Sequence, residues 1–269
     1  MKEEFIRDRL KVSIISTRHS RAMRHLMLLF PLLLAACTGT PEAAPEENAT
    51  PAPTAYVPLQ DTLDARKAAF EARADVEKKR VYAEGIEAVR TSGILQAARQ
   101  VGDTAPDFTL GNATGRPVRL YEVLEQGPVV LTWYRGGWCP YCNLTLHRLQ
   151  QELPNFRAAG ATLLALTPEL PDSSLSTAEK HALEFDVLSD PGNTVARSYG
   201  VVFELTPEVA ASYQQSFDLH GYNGDASNEL PLAATYVIGT DGVITYAFLH
   251  PDYRNRAEPR EILEALEGM

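Results

Sequence analysis

Two cysteines separated by two residues, Cys139-Pro140-Tyr141-Cys142, follow the apolar run Val129-Val130-Leu131-Thr132-Trp133-Tyr134 and open a helical pattern. A pair at this spacing, where a strand gives way to a helix, is a signature of thiol redox chemistry in a βαβ setting. Pro140 suits the first helical position, because its missing N–H has no partner there and its φ is already helical. Cys139 then stands at the helix N-terminus, where orphan N–H groups and the positive end of the dipole favour a thiolate. In Cys-X-X-Cys sites a thiol pKa of about 8.5 falls to ~7 or lower. Leu146, Leu149 and Leu153 continue from Cys142 at spacings of four, three and four, so Cys142 belongs to the buried stripe of that helix. One sulfur is therefore expected at the mouth of the site and the other beneath it, within bridging reach. A disulfide closing so short a loop would constrain the unfolded chain little, which makes stapling the weaker alternative. Zinc normally takes four ligands. The only other cysteine, Cys37, has a separate assignment, so zinc would need distant histidines.

The longer string Tyr134-Arg135-Gly136-Gly137-Trp138-Cys139-Pro140-Tyr141-Cys142-Asn143-Leu144 resembles the active-site segment of bacterial peroxiredoxin-like proteins of the alkyl hydroperoxide reductase and thiol-specific antioxidant (AhpC/TSA) family. The resemblance continues in Val101-Gly102-Asp103-Thr104-Ala105-Pro106-Asp107-Phe108, in Leu188-Ser189-Asp190-Pro191-Gly192-Asn193 and in Ala234-Thr235-Tyr236-Val237-Ile238. It implies a thioredoxin-like fold and a thiol peroxidase with no cofactor or metal, using peroxide as substrate and a thioredoxin-like or other thiol as reductant. It also aligns Cys142 with the family's peroxidatic cysteine, Cys139 with its usual threonine and Arg135 with its usual proline. A thioredoxin-type reductase would use the same sulfurs in opposite roles, with Cys139 attacking and Cys142 resolving. Arg135 is then either a thiolate-stabilising cation or a surface residue, and Trp138 either shields the site or touches substrate. Ala233 stands where such proteins carry a proline or an arginine, which leaves Arg135 as the nearest cation in sequence. A third reading, copper delivery, requires His220 to join Cys139 and Cys142. His147, four residues past Asn143, reads as a solvated or capping residue.

The elements that must hold this site can be read around it. Residues 59–100 form a helical segment with Leu63, Phe70, Val81, Ile86, Val89, Leu95 and Ala98 as one apolar stripe, bent or ended at Gly85 and Gly93. Such a segment packs on the domain or supplies contacts for a homodimer. From 101 to 269 strands and helices alternate. A hairpin spans 108–120, strands cover 129–134, 161–167, 185–188 and 201–203, and helices cover 140–153, 176–183, 193–199 and 207–217. A second hairpin turns through Thr240-Asp241-Gly242, and a helix at 258–266 closes the chain. The pattern predicts an α/β domain, thioredoxin-like, with a mixed central sheet flanked by helices.

Residues 1–36 carry seven Lys/Arg, then the apolar run Leu26 to Ala36, and read as a signal peptide that is too short to remain as a membrane span. A compact version of it begins at Met23. Leu34-Ala35-Ala36-Cys37 resembles a bacterial lipobox, which implies that Cys37 is acylated and that the protein is lipid-anchored in the cell envelope, at the outer membrane facing the periplasm. Residues 37–58, rich in Pro, Ala, Thr and Glu, read as a disordered tether. Without residues 1–36 the net charge moves from −10 to −14, since seven basic and three acidic residues are lost. That acidity argues against a nucleic-acid partner and leaves membrane attachment to the lipid.

Overall fold

The computed structural model describes residues 56–269; the expected signal peptide (1–36), the lipidation site Cys37 and nearly all of the linker (37–58) lie outside them. Helices α1 (Leu59–Arg73) and α2 (Val76–Thr91) and the single turn α3 (Ile94–Ala97) come first. The segment expected at 59–100 is helical, but in three pieces whose first break falls at Ala74-Asp75. There the Asp75 carboxylate accepts the Lys78 N–H at 2.7 Å and starts α2. Gly85, expected to bend the helix, lies inside α2 at a close approach instead: a Cβ there would stand 2.7 Å from Val209 Cγ2. The apolar residues read as one stripe divide among three clusters. Leu63 joins one face of the sheet, Val89 and Ala98 the other, and Val81 a third cluster around Val209 and Tyr213.

The hairpin β1 (Thr109–Gly111) and β2 (Pro117–Arg119) leads through α4 (Leu120–Leu124) to β3 (Val129–Trp133). Then come α5 (Pro140–Ala158), β4 (Thr162–Thr167), α6 (Pro171–Lys180), β5 (Asp186–Ser189) and α7 (Thr194–Ser198). β6 (Val202–Glu204), α8 (Pro207–Phe217), α9 (Leu219–Asn223) and β7 (Glu229–Pro231) precede β8 (Thr235–Ile238), β9 (Ile244–Phe248) and α10 (Pro259–Glu267). The five-stranded sheet runs β5-β4-β3-β8-β9. Its first three strands are parallel and β8 runs antiparallel to both of its neighbours, β3 and β9, which is the expected mixed sheet.

β3 sits at the centre and is buried on both faces, so it reads as a continuous apolar run. Its alternation sends Val130 and Tyr134 toward Leu63, Leu146, Leu149 and Ile262 of α1, α5 and α10. Leu131 and Trp133 turn toward Val89, Ile94, Leu120 and Tyr199 on the other side. Helix α5 outruns its expected end at Leu153. Pro154 removes a helical hydrogen bond at a cost of about 3 kcal/mol, and the burial of Leu153 and Phe156 against the sheet opposes that cost. Helix α6 begins at Pro171, earlier than the expected 176, because proline is preorganised for the first turn. Asp190, in one of the family-like strings, accepts the N–H groups of Val195 and Ala196 at 3.0 and 2.9 Å and so caps α7.

Candidate active site

The site lies where β3 ends and α5 begins. Between them run Tyr134, Arg135, Gly136, Gly137 and Trp138, and Cys139 is the N-cap residue of α5 with Pro140 at the first helical position, as the sequence predicts. Gly136 has φ +150°, and a Cβ on Gly137 would collide with the Thr177 side chain of α6, so both positions require glycine. Three bonds fix the loop. Cys139 N–H donates to the Gly136 carbonyl at 3.0 Å, Asn143 Nδ2 to the Gly137 carbonyl at 2.9 Å, and Gly137 N–H to Glu169 Oε1 at 2.9 Å. Glu169 is fully buried at the end of β4. Burial pushes its carboxyl up to about 7 against the Gly137 N–H, and the charge of Cys142 adds to the rise.

Cys139 and Cys142 are both free thiols and neighbours, as expected, but their exposure is 1% and 0%. The expectation that Cys139 stands at an open mouth is therefore corrected. Helix N-termini at strand ends usually face solvent, but here aromatic rings from distant segments close over this one. Trp138, half-buried, stacks on Phe217 of α8 with centroids 4.2 Å apart and lies 5.3 Å from Tyr213. Tyr253 meets Tyr141 edge-on at 5.6 Å. Trp138 therefore packs into the aromatic cover beside the cysteines.

Charge is supplied from two sides. The Arg256 Nη2 donates to Cys142 Sγ at 3.4 Å, and the Arg135 backbone N–H does so at 3.5 Å. Arg135 is not a surface residue: it is 1% exposed, its Nη2 donates to the Tyr213 hydroxyl at 2.6 Å, and its guanidinium lies over the Tyr253 ring at 4.0 Å. Neither arginine pairs with a carboxylate among the described residues. Burial pushes the Cys142 thiol up, but the Cys139 thiol beside it, both guanidiniums and the Arg135 N–H outweigh burial and hold it at about 5. Cys139 goes the other way: burial, then its contact with Cys142 and that sulfur's charge, raise it well above a normal thiol. The donors that reach Cys142 and the direction of both shifts favour negative charge on the inner sulfur.

Arg256, Glu169, Tyr213 and Tyr253 were not singled out from the sequence. The signal for Arg256 was present in the Ala233 departure: a site lacking a cation at its usual place invites a search of later arginines, and Arg254 and Arg256 follow β9. His220 does not join the cysteines; its Nε2 bonds Asn228 Oδ1 at 2.9 Å. Among the described residues no cluster of His, Cys, Asp and Glu is arranged to hold a metal. His147 is exposed and contacts Gln151 at 3.1 Å.

Comparison with known proteins places the chain in a family. The AhpC/TSA family profile matches residues 101–247. Chloroplastic peroxiredoxin Q of Sedum lineare is 29% identical over 163 residues, spanning 61% of this chain and 73% of that protein. Its Arabidopsis thaliana counterpart is 27% identical over 183 residues, spanning 68% and 72%. Among solved structures, peroxidoxin BcpB from Mycobacterium tuberculosis shares the fold, with a TM-score of 0.50 and 24% identity over 63% of this chain and 97% of that one. The family match covers more than half of the 269 residues, and the chain belongs to the AhpC/TSA family.

Proposed function

We propose that Cys142 is the peroxide-attacking sulfur of this peroxiredoxin-type thiol peroxidase and that Cys139 resolves it. The observation that carries the assignment is the Arg256 guanidinium 3.4 Å from Cys142 Sγ, joined by the Arg135 N–H at 3.5 Å. The Cys142 thiolate attacks one peroxide oxygen. An S–O bond forms, the O–O bond breaks, and the departing oxyanion takes a proton to leave as water or an alcohol. The sulfur, oxidised by two electrons, is then a sulfenic acid. The Cys139 sulfur attacks it, the S–S bond forms, and the S–O bond breaks with release of water. A dithiol of the thioredoxin type returns two electrons by exchange and restores both thiols. The reductase reading needs Cys139 as an accessible thiolate, and burial together with the raised pKa of Cys139 weighs against it.

The test is peroxide-dependent NADPH consumption coupled through thioredoxin. Cys142→Ser is expected to lose all peroxide turnover. Cys139→Ser is expected to consume one equivalent and to accumulate a sulfenic acid on Cys142 that a dimedone-type probe traps for mass spectrometry. A sulfenic acid on Cys139 instead would reverse the roles, and reduction of insulin without peroxide consumption would return the reductase reading.

A further inference from the structure

A buried carboxyl beneath the active-site loop takes no part in the steps above. Glu169, just past the end of β4, is fully buried. Among the described residues no arginine, lysine or histidine lies within ion-pair distance of it. Its Oε1 accepts the Gly137 N–H at 2.9 Å, while its Oε2 has the Thr167 hydroxyl only at 3.4 Å. An ionised carboxylate taken out of water needs a cation to meet it, and where none does the neutral acid is favoured. The groups that act on Glu169 are Tyr134 at the end of β3, Cys142 of α5, the Gly137 N–H and the Thr167 hydroxyl. The buried Tyr134 side chain feels the charge of both Glu169 and Cys142. The loop ties the two groups together: Arg135 N–H donates to Cys142 Sγ, and Gly137 N–H, two residues on, donates to Glu169. Negative charge on the sulfur adds to burial in holding the proton on Glu169, and oxidation to the disulfide removes that charge.

We infer that Glu169 is the proton store of the redox cycle: it keeps its proton while Cys142 is a thiolate and yields it when oxidation removes that charge. The inference rests on the cysteine cycle proposed above, and the balance of that cycle closes with it. The two sulfurs give two electrons to the peroxide, the O–O bond breaks and the S–S bond forms. With hydrogen peroxide two waters leave; two of their hydrogens are the peroxide's own, one comes from the Cys139 thiol and one from Glu169. Without the store that last proton comes from solvent. On reduction the two protons of the incoming dithiol end on Cys139 and Glu169, and Cys142 is again a thiolate.

The experiment is the infrared difference spectrum between dithiol and disulfide forms at about pH 6, below the value of about 7 at which Glu169 gives up its proton in the reduced protein. The disulfide is made with hydrogen peroxide and, separately, with diamide. In the wild type, oxidation should remove one protonated-carboxyl C=O band and add a carboxylate band. Glu169→Gln, which keeps an acceptor for the Gly137 N–H, should lose both changes. In weak buffer its oxidation should draw about one proton per cysteine pair from solvent, where the wild type draws close to none. If Glu169→Gln does not fold, Cys142→Ser decides: with no charge at that residue, the protonated band should vanish at a lower pH than in the reduced wild type. A band unmoved by disulfide formation, a band that moves equally in Glu169→Gln, or a Cys142→Ser titration that matches the wild type overturns the store. Band changes with diamide but no reaction with peroxide uphold the store and overturn the peroxidase reading alone.

Discussion

A sulfur with no solvent around it carries negative charge only where the protein supplies donors and cations, and around Cys142 these come from the loop before it and from Arg256 far beyond it. Because the thiol is held at about 5, below its ordinary value, the thiolate form, and with it the peroxide reactivity proposed for Cys142, should be complete above about pH 6 and lost as pH falls through 5. Arg256→Gln removes one of the lowering charges, so the midpoint should rise toward the normal thiol range by about a unit or more. The loss of reactivity should then begin at correspondingly higher pH. Thiolate absorbance at 240 nm during an acid titration reads the shift directly, and Arg256→Lys should recover part of it. An unchanged midpoint in Arg256→Gln would remove that arginine from the account. The two cysteines were legible in the sequence because their chemistry is local: four residues, one proline and one helix start. Arg256 was not, because 114 residues separate it from Cys142 and no periodicity joins a loop arginine to a buried sulfur.

At the scale of elements, the central strand and the long helix after it were readable because both are apolar runs of sufficient length bounded by turn residues. α4, α9 and β7 were not, since elements of three to five residues show no period. The aromatic cover was also illegible, as α8 reads only as an amphipathic helix until the fold brings it beside Trp138. The leading helices are part of the same core. Leu63 of α1 is fully buried in the cluster that holds α5 and both sulfurs. Leu63→Ala should therefore cost about 2–5 kcal/mol, the range for deleting a buried leucine side chain. Urea unfolding followed by circular dichroism measures it, and a loss under about 1 kcal/mol would show that α1 only decorates the domain.

At the scale of the whole molecule, the two ends of residues 56–269 are joined. Pro58 offers no side-chain cap to α1. Glu258 takes that place from across the fold: its carboxylate accepts the Leu59 and Gln60 N–H groups at 3.0 and 2.7 Å and the Tyr56 hydroxyl at 3.0 Å. Glu258 stands two residues beyond Arg256, with the buried Ala257 between them. Glu258→Ala should free both segments, lower the thermal midpoint and raise the pKa of Cys142, although Glu258 is not among the groups that set it. A lowered thermal midpoint with an unmoved thiol titration would show that the two segments are fastened independently. Strain entering at Tyr56 is met by the Glu258 carboxylate together with Arg148, which bonds the Val57 carbonyl, so the start of α1 and the stretch that carries Arg256 share one fastening.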